Sequence, residues 1–206
     1  MYYYIFEAIA ESGKGEIAEA YYKALVPKVR GISGFVKDTF FVSPHLDGKA
    51  VNIAEWQDAD AVSRWRNEST HLRAQEKGRD VYQNYRLQLG PDVEAAGQSA
   101  GGSSRHVVVL YYRKSFGGVP EDDITSHIKT DVRSSATRDI VSSAVYQGPK
   151  TVWVAVLRNK VAAEMLKSAL LREQDDALVQ IVVERDYTKS DRKDAPSDTP
   201  RGKCKL

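Results

Sequence analysis

The feature that most constrains this chain is that it says the same thing twice. Residues 1–90 and 105–187 carry one order of structural signals, and an internal repeat has to be read before any single motif. In the first block, an aromatic and β-branched run over 2–10 predicts a strand. Ser12 is placed to cap a helix over 15–29, with Ile17, Tyr21, Leu25 and Val29 at helical spacing and Gly31 and Gly34 beyond its end. Strands follow over 35–43 and 50–56. Asp58 then caps a helix through Trp65 that restarts around 71–77, and a strand over 79–89 closes the block. The second block predicts strands over 106–113, 138–146, 151–158 and 177–187, with helices over 122–129 and 160–172. The order is β-α-β-β-α-β both times.

That order is the split βαβ, ferredoxin-like unit, whose two helices cover one face of a four-stranded antiparallel sheet and leave the other bare. The strands say what covers the bare face. VVVLYY, VWVAVL and LVQIVV are apolar on both alternating faces, unlike strands of a sheet with one wet side. The expected fold is therefore α+β: tandem halves packed sheet to sheet as an intrachain barrel with the helices outside. The expected organisation is a half over 1–90, a Gly/Ser/Ala-rich linker over 91–104, a degenerate half over 105–187 and a disordered tail over 188–206. With its second half as a built-in partner, the chain is expected to be a monomer or a weak homodimer.

Composition removes several classes. The 30 basic and 28 acidic side chains balance, and the tail from Thr188 holds a surplus of three basic groups, so the body is neutral. A nucleic-acid reader needs its basic excess on the folded body, so that class is set aside. No apolar run approaches the ~20 residues that span a bilayer, and MYYYIFEAIA does not read as a secretory signal. The single cysteine, Cys204, makes no internal disulfide and no cysteine metal cluster, which fits a reducing compartment; no metal site is expected. Gly13-Lys-Gly15-Glu-Ile-Ala18, with Asp38 about 20 residues on, matches a dinucleotide fingerprint. Glu11 and Glu16 would repel a pyrophosphate there, and the following strand leads into a hairpin, so the glycines read as a tight strand-to-helix turn.

The stretch over 56–90, EWQDADAVSRWRNESTHLRAQEKGRDVYQNYRLQLG, carries the functional signal. A Trp closing the third strand, an acidic cap, Trp-Arg in the next helix, then His, Ala-Gln, Gly-Arg and a Tyr-rich last strand resemble the antibiotic biosynthesis monooxygenase family. The resemblance implies a dimeric α/β barrel and a choice of chemistries. One branch forms quinones from aromatic polyketide phenols with O2 and no cofactor. Its helix Trp matches Trp65 and its last-strand Arg matches Arg86, while His71 stands in its Tyr place and Ala61 in its Asn place. A haem-degrading branch also uses the Trp, but needs an Asn on the first strand and an iron-binding His about ten residues past the Trp. This chain has Glu7 and Ala8, and then Gln75, a carboxamide and a poor iron ligand.

The candidate site follows. His71 is the base that would take a phenol proton, Arg86 the cation that would hold the phenolate, and Trp65 the flat wall. Tyr85 and Glu7 are the candidate substrate-binding residues. Each has a plain structural alternative. Trp65 is equally at home in a core, His71 on a polar surface, and Glu7 at a sheet edge, while Arg86 and Tyr85 alternate and so face opposite sides of their strand unless a bulge intervenes. The leading expectation is a cofactor-independent monooxygenase-like enzyme acting on a small aromatic substrate. The alternatives are a haem-binding or haem-degrading protein, a cyclase or lyase on the same barrel, and a non-catalytic small-ligand-binding stress protein. Shifted by 101 residues, Trp65 falls on Leu166 and His71 on Arg172, so one site per chain is expected. Cys204-Lys205-Leu206 resembles the Ser-Lys-Leu peroxisomal address, which implies an import receptor as partner and peroxisomal localisation, with a cytoplasmic location as the alternative.

Overall fold

The structure, a computed structural model, describes residues 1–96, 106–113, 138–170 and 177–191. The expected helix over 122–129 and the residues Cys204, Lys205 and Leu206 lie outside the described residues. The first half comprises β1 (Tyr2–Ala10), α1 (Gly15–Val29), β2 (Phe35–Val42), β3 (Lys49–Trp56), α2 (Ala59–Arg66), α3 (Ser69–Val81) and β4 (Tyr82–Pro91). A single helical turn, α4 (Val93–Ala96), follows. The second half shows β5 (Val107–Arg113), β6 (Ile140–Gln147), β7 (Thr151–Leu157), α5 (Lys160–Leu170), β8 (Ala177–Val182) and β9 (Arg185–Thr188).

All named strand pairs are antiparallel, and the sheet order β8-β5-β7-β6-β2-β3-β1-β4-β9 contains two copies of one arrangement joined at β6–β2. Each half has its first strand in the middle, as the ferredoxin-like order requires. A doubly wound nucleotide fold is thereby excluded. Gly13 has φ of 75° and turns the chain tightly from β1 into α1, which is the role expected of that glycine. Lys14, not Ser12, occupies the helix N-cap and makes no side-chain cap bond, because the glycine turn has already redirected the backbone.

The sheets face one another across a core of Ile5, Val51 and Ile53 from the first half and Leu110, Val154 and Ile181 from the second. The strands are apolar on both sides because this interior takes one side and the helices the other. At one junction Val42 pairs with Gln147. At the other, the Glu184 amide donates to the Leu89 carbonyl at 2.8 Å, and β9 adds to the edge of β4. Gly90 stands at that second junction, where a Cβ would collide with the Val182 carbonyl oxygen. The strand expected over 177–187 is therefore two. The chain breaks step at Val183 and Glu184 so that Arg185–Thr188 leaves β5 and joins β4.

The helix caps show how deep the repeat runs. Asp58 Oδ1 accepts from the Ala61 amide at 2.7 Å, and Asn159 Oδ1 accepts from the Ala162 amide at 2.9 Å. Superposing these caps sets Trp65 on Leu166 and Asn52 on Trp153. Among the described residues no helix is long and apolar enough to cross a membrane.

Candidate active site

Between the outer face of the first sheet and the helices α1, α2 and α3 lies a cavity of about 750 Å³, within the range of small-molecule sites. Its floor follows from the pleat. On β1 the even residues point outward, and the outward positions at Ala8, Ala10, Ala50 and Ala54 are too small to fill the space under the helices. Aromatic rings make the walls: Phe6 lies 5.4 Å from the Tyr82 ring and 5.9 Å from that of Tyr85. Tyr22 stacks on Phe40 at 4.7 Å. The second half contributes as well, since β9 sends Arg185 and Tyr187 to the same lining.

The break between α2 and α3 positions the imidazole. Asn67 ends α2, and Glu68, extended, caps α3 by accepting from the His71 amide at 2.8 Å. The His71 ring then lies flat against the Trp65 indole, centroids 4.1 Å apart and planes within 9°. His71 Nδ1 is 3.0 Å from the Trp65 carbonyl oxygen. A carbonyl only accepts, so Nδ1 carries the proton and Nε2 keeps the lone pair. The Gln75 amide, 3.2 Å from the same Nδ1, donates instead to the Arg66 carbonyl at 3.3 Å. His71 is 8 % exposed, and burial, helped by the charge of Arg66, holds its pKa down to about 4 against the opposing pull of the Trp65 carbonyl and Glu68. The imidazole is neutral at pH 7 and is an acceptor.

The structure brings Trp65, His71 and Tyr85 to one cavity and places Glu7 and Arg86 elsewhere. β1 and β4 pair without a bulge through this stretch, Glu7 opposite Arg86 and Ala8 opposite Tyr85, so Glu7 and Arg86 both point into the barrel. There Arg86 makes a two-pronged bond to Asp186 (Nε–Oδ1 2.9 Å, Nη2–Oδ2 2.6 Å) and reaches Ser142 at 3.2 Å. Tyr146 donates to Glu7. Glu7, Arg86 and Ser142 border a separate recess of about 210 Å³ at the barrel mouth. Arg86, proposed from sequence to hold a phenolate beside His71, is thus on the far side of the sheet and already paired with a carboxylate. Tyr85 also borders that mouth, from the strand backbone's other side.

Sequence reasoning missed Asn52. It is the one polar side chain on the outward face of β3, between Ala50 and Ala54 along the strand and between Phe6 and Phe40 across it. A lone amide in an otherwise apolar alternation was the available signal. Arg185 and Tyr187 were missed because nothing local marks a strand that changes sheets. Among the described residues no three His, Cys, Asp or Glu side chains gather as a metal site.

Comparisons with known proteins agree with this geometry. Residues 1–77 match the family model described as antibiotic biosynthesis monooxygenase. A jasmonate monooxygenase of Pyricularia oryzae is 33 % identical over 91 residues, covering 44 % of this chain and 42 % of that protein. The uncharacterized protein YqjZ of Bacillus subtilis is 36 % identical over 44 residues, 21 % of this chain and 39 % of its own length. The chain thus spans less than half the length of either curated relative. Among solved structures, an aldoxime dehydratase in complex with butyraldoxime superposes with a TM-score of 0.54 at 8 % identity, over 88 % of this chain and 79 % of that one, and so shares the fold across both halves. The first half of this chain is thus similar to the antibiotic biosynthesis monooxygenase family, whose model its residues 1–77 match.

Proposed function

We propose that the chain is a monooxygenase-like enzyme that oxidises an aromatic or polyketide-type small molecule with O2 and without a resident cofactor. The observation that carries this reading is the aromatic-walled cavity of about 750 Å³ with a neutral imidazole stacked on Trp65 in its wall. A flat substrate lies against the rings, and His71 Nε2 takes a proton from an acidic phenol or enol. The electron-rich anion then reduces O2. For an activated methylene the balance is CH2 plus O2 giving C=O plus water, one oxygen atom entering the ketone and the other leaving as water. Burial makes His71 a weak base, so the substrate has to be acidic, and the anion it becomes offsets the cost of the imidazolium beside it.

Absence of haem is part of the proposal. Where the haem-degrading branch needs an Asn on the first strand and a His after the Trp, the cavity is lined by Ala8 and Gln75. Titration with haem should give no Soret band. Oxygen uptake with anthrone- or hydroquinone-like phenols should persist with chelator present and fall at least tenfold in His71→Ala and in Trp65→Phe. Parent-like uptake in both variants would contradict the assignment. We also propose that Cys204-Lys205-Leu206 serves as a peroxisomal address, so deleting Leu206 should leave a fluorescent fusion in the cytosol, and unchanged puncta would refute it.

A further inference from the structure

Resting on the reading of this cavity as a small-molecule site, we propose that Asn52 determines specificity: its carboxamide oxygen accepts a hydrogen bond from a substrate hydroxyl other than the one that His71 deprotonates. The cavity then selects a free phenolic or enolic O–H over the corresponding ether.

The orientation of the amide follows from its neighbours. Asn52 Nδ2 lies 3.4 Å from Asp38 Oδ2 and 3.5 Å from the Thr39 carbonyl oxygen. Both are acceptors, so a flipped amide would set oxygen against oxygen twice. Asp38 is itself fixed by the Tyr22 hydroxyl, which donates to the same Oδ2 at 2.6 Å. The nitrogen therefore stays on the β2 side, and Oδ1 turns away from it with no donor among the described residues. Asn52 is half-buried on the cavity floor, with Phe6 and Phe40 as its cross-strand neighbours, where a hydrogen bond to a ligand is worth more than in water.

The fold does not require an amide there. The equivalent position of the second half is Trp153, fully buried within that half's hydrophobic cluster. Keeping a polar group on an apolar face costs stability unless something satisfies it. A substrate hydroxyl would do so, and a carbonyl or ether would not.

The test compares 1-naphthol with 1-methoxynaphthalene, which differ in that one hydrogen, by calorimetric binding to the parent protein, Asn52→Leu and Asn52→Ala. The parent should bind the naphthol about tenfold more tightly, the worth of one good hydrogen bond. Either variant that keeps its cooperative thermal unfolding should bind both probes within twofold of each other. No preference in the parent, or a preference that survives in the variants, overturns the role of Asn52 and leaves the cavity reading standing. Failure of the parent to bind either probe overturns both.

Discussion

Beneath α5, the second half is filled: Val109, Trp153, Ala155 and Leu166 form one cluster with none of their surface exposed. Beneath α1, α2 and α3, the first half is hollow, although it has the same strand order and the same helix cap. The difference lies in two places. At the matched floor position one half has Trp153 and the other Asn52. The connection between the third and fourth strands runs from Trp56 to Tyr82 in the first half but only from Leu157 to Ala177 in the second. The longer connection holds α3, and with it His71. A duplicated unit has thus kept one copy as packing and the other as a container, since a tight core needs large side chains where a cavity needs small ones.

The largest expected effect probes that contrast directly. Trp153→Ala should cost about 3–5 kcal/mol in urea unfolding, as removal of a sealed indole does. Asn52→Ala, at the matched position, should change stability by less than about 1 kcal/mol. Equal losses at the two positions would show that the first half is packed as tightly as the second.

Acid titration should then separate the halves. His71 has its pKa near 4 folded and about 6.5 unfolded, so the unfolded chain binds the extra proton between those values. The contribution is complete above pH 6.5 and is lost as pH falls toward 4, to the extent of about 3 kcal/mol. His71→Gln should lack that part of the pH dependence, seen as a gap between the parent and variant stability curves that changes by about 3 kcal/mol across the window. An unaltered pH profile in the variant would place the imidazole in water.

Asn52→Trp carries the second half's solution into the first. It should leave the protein folded and weaken binding of naphthol at least hundredfold, by filling the floor as Trp153 does. Retained affinity would put the ligand elsewhere. The smallest effect expected is at the barrel mouth. Arg86→Met breaks the pairing with Asp186 and should lower stability by about 1–3 kcal/mol, yet leave naphthol affinity within twofold, because the sheet separates the two recesses.

Much of this was legible in the sequence. Aromatic and branched runs gave the strands, Asp58 and the period of its helix gave α2, and apolarity on both strand faces gave the sheet-to-sheet interior. The alternation of Tyr85 with Arg86 already implied opposite faces, and no bulge overrides it. What could not be read is what two distant segments decide together. Helix α3 runs on to Val81, past Gly78, because the Tyr82 ring packs over that glycine. Gly90 is needed only because Val182 arrives beside it. The pairing of Arg86 with Asp186 depends on β9 changing sheets, and no turn residue at Val183 or Glu184 announces that step. The candidate base and its wall were visible as residue types in a helical stretch, but the stacking of His71 on Trp65 comes from the Glu68 cap, a local detail below the resolution of periodicity.

A cavity lies under the first three helices, and a filled cluster of described side chains lies under α5. A crystal structure of the protein soaked with 1-naphthol tests that most directly. The expected density lies between Ala54 and the stacked Trp65–His71 pair, with its hydroxyl toward Asn52. Density instead beside Glu7 and Arg86 in the barrel, or α1 and α3 settled onto the alanines of the sheet with no room for a ligand, would contradict it.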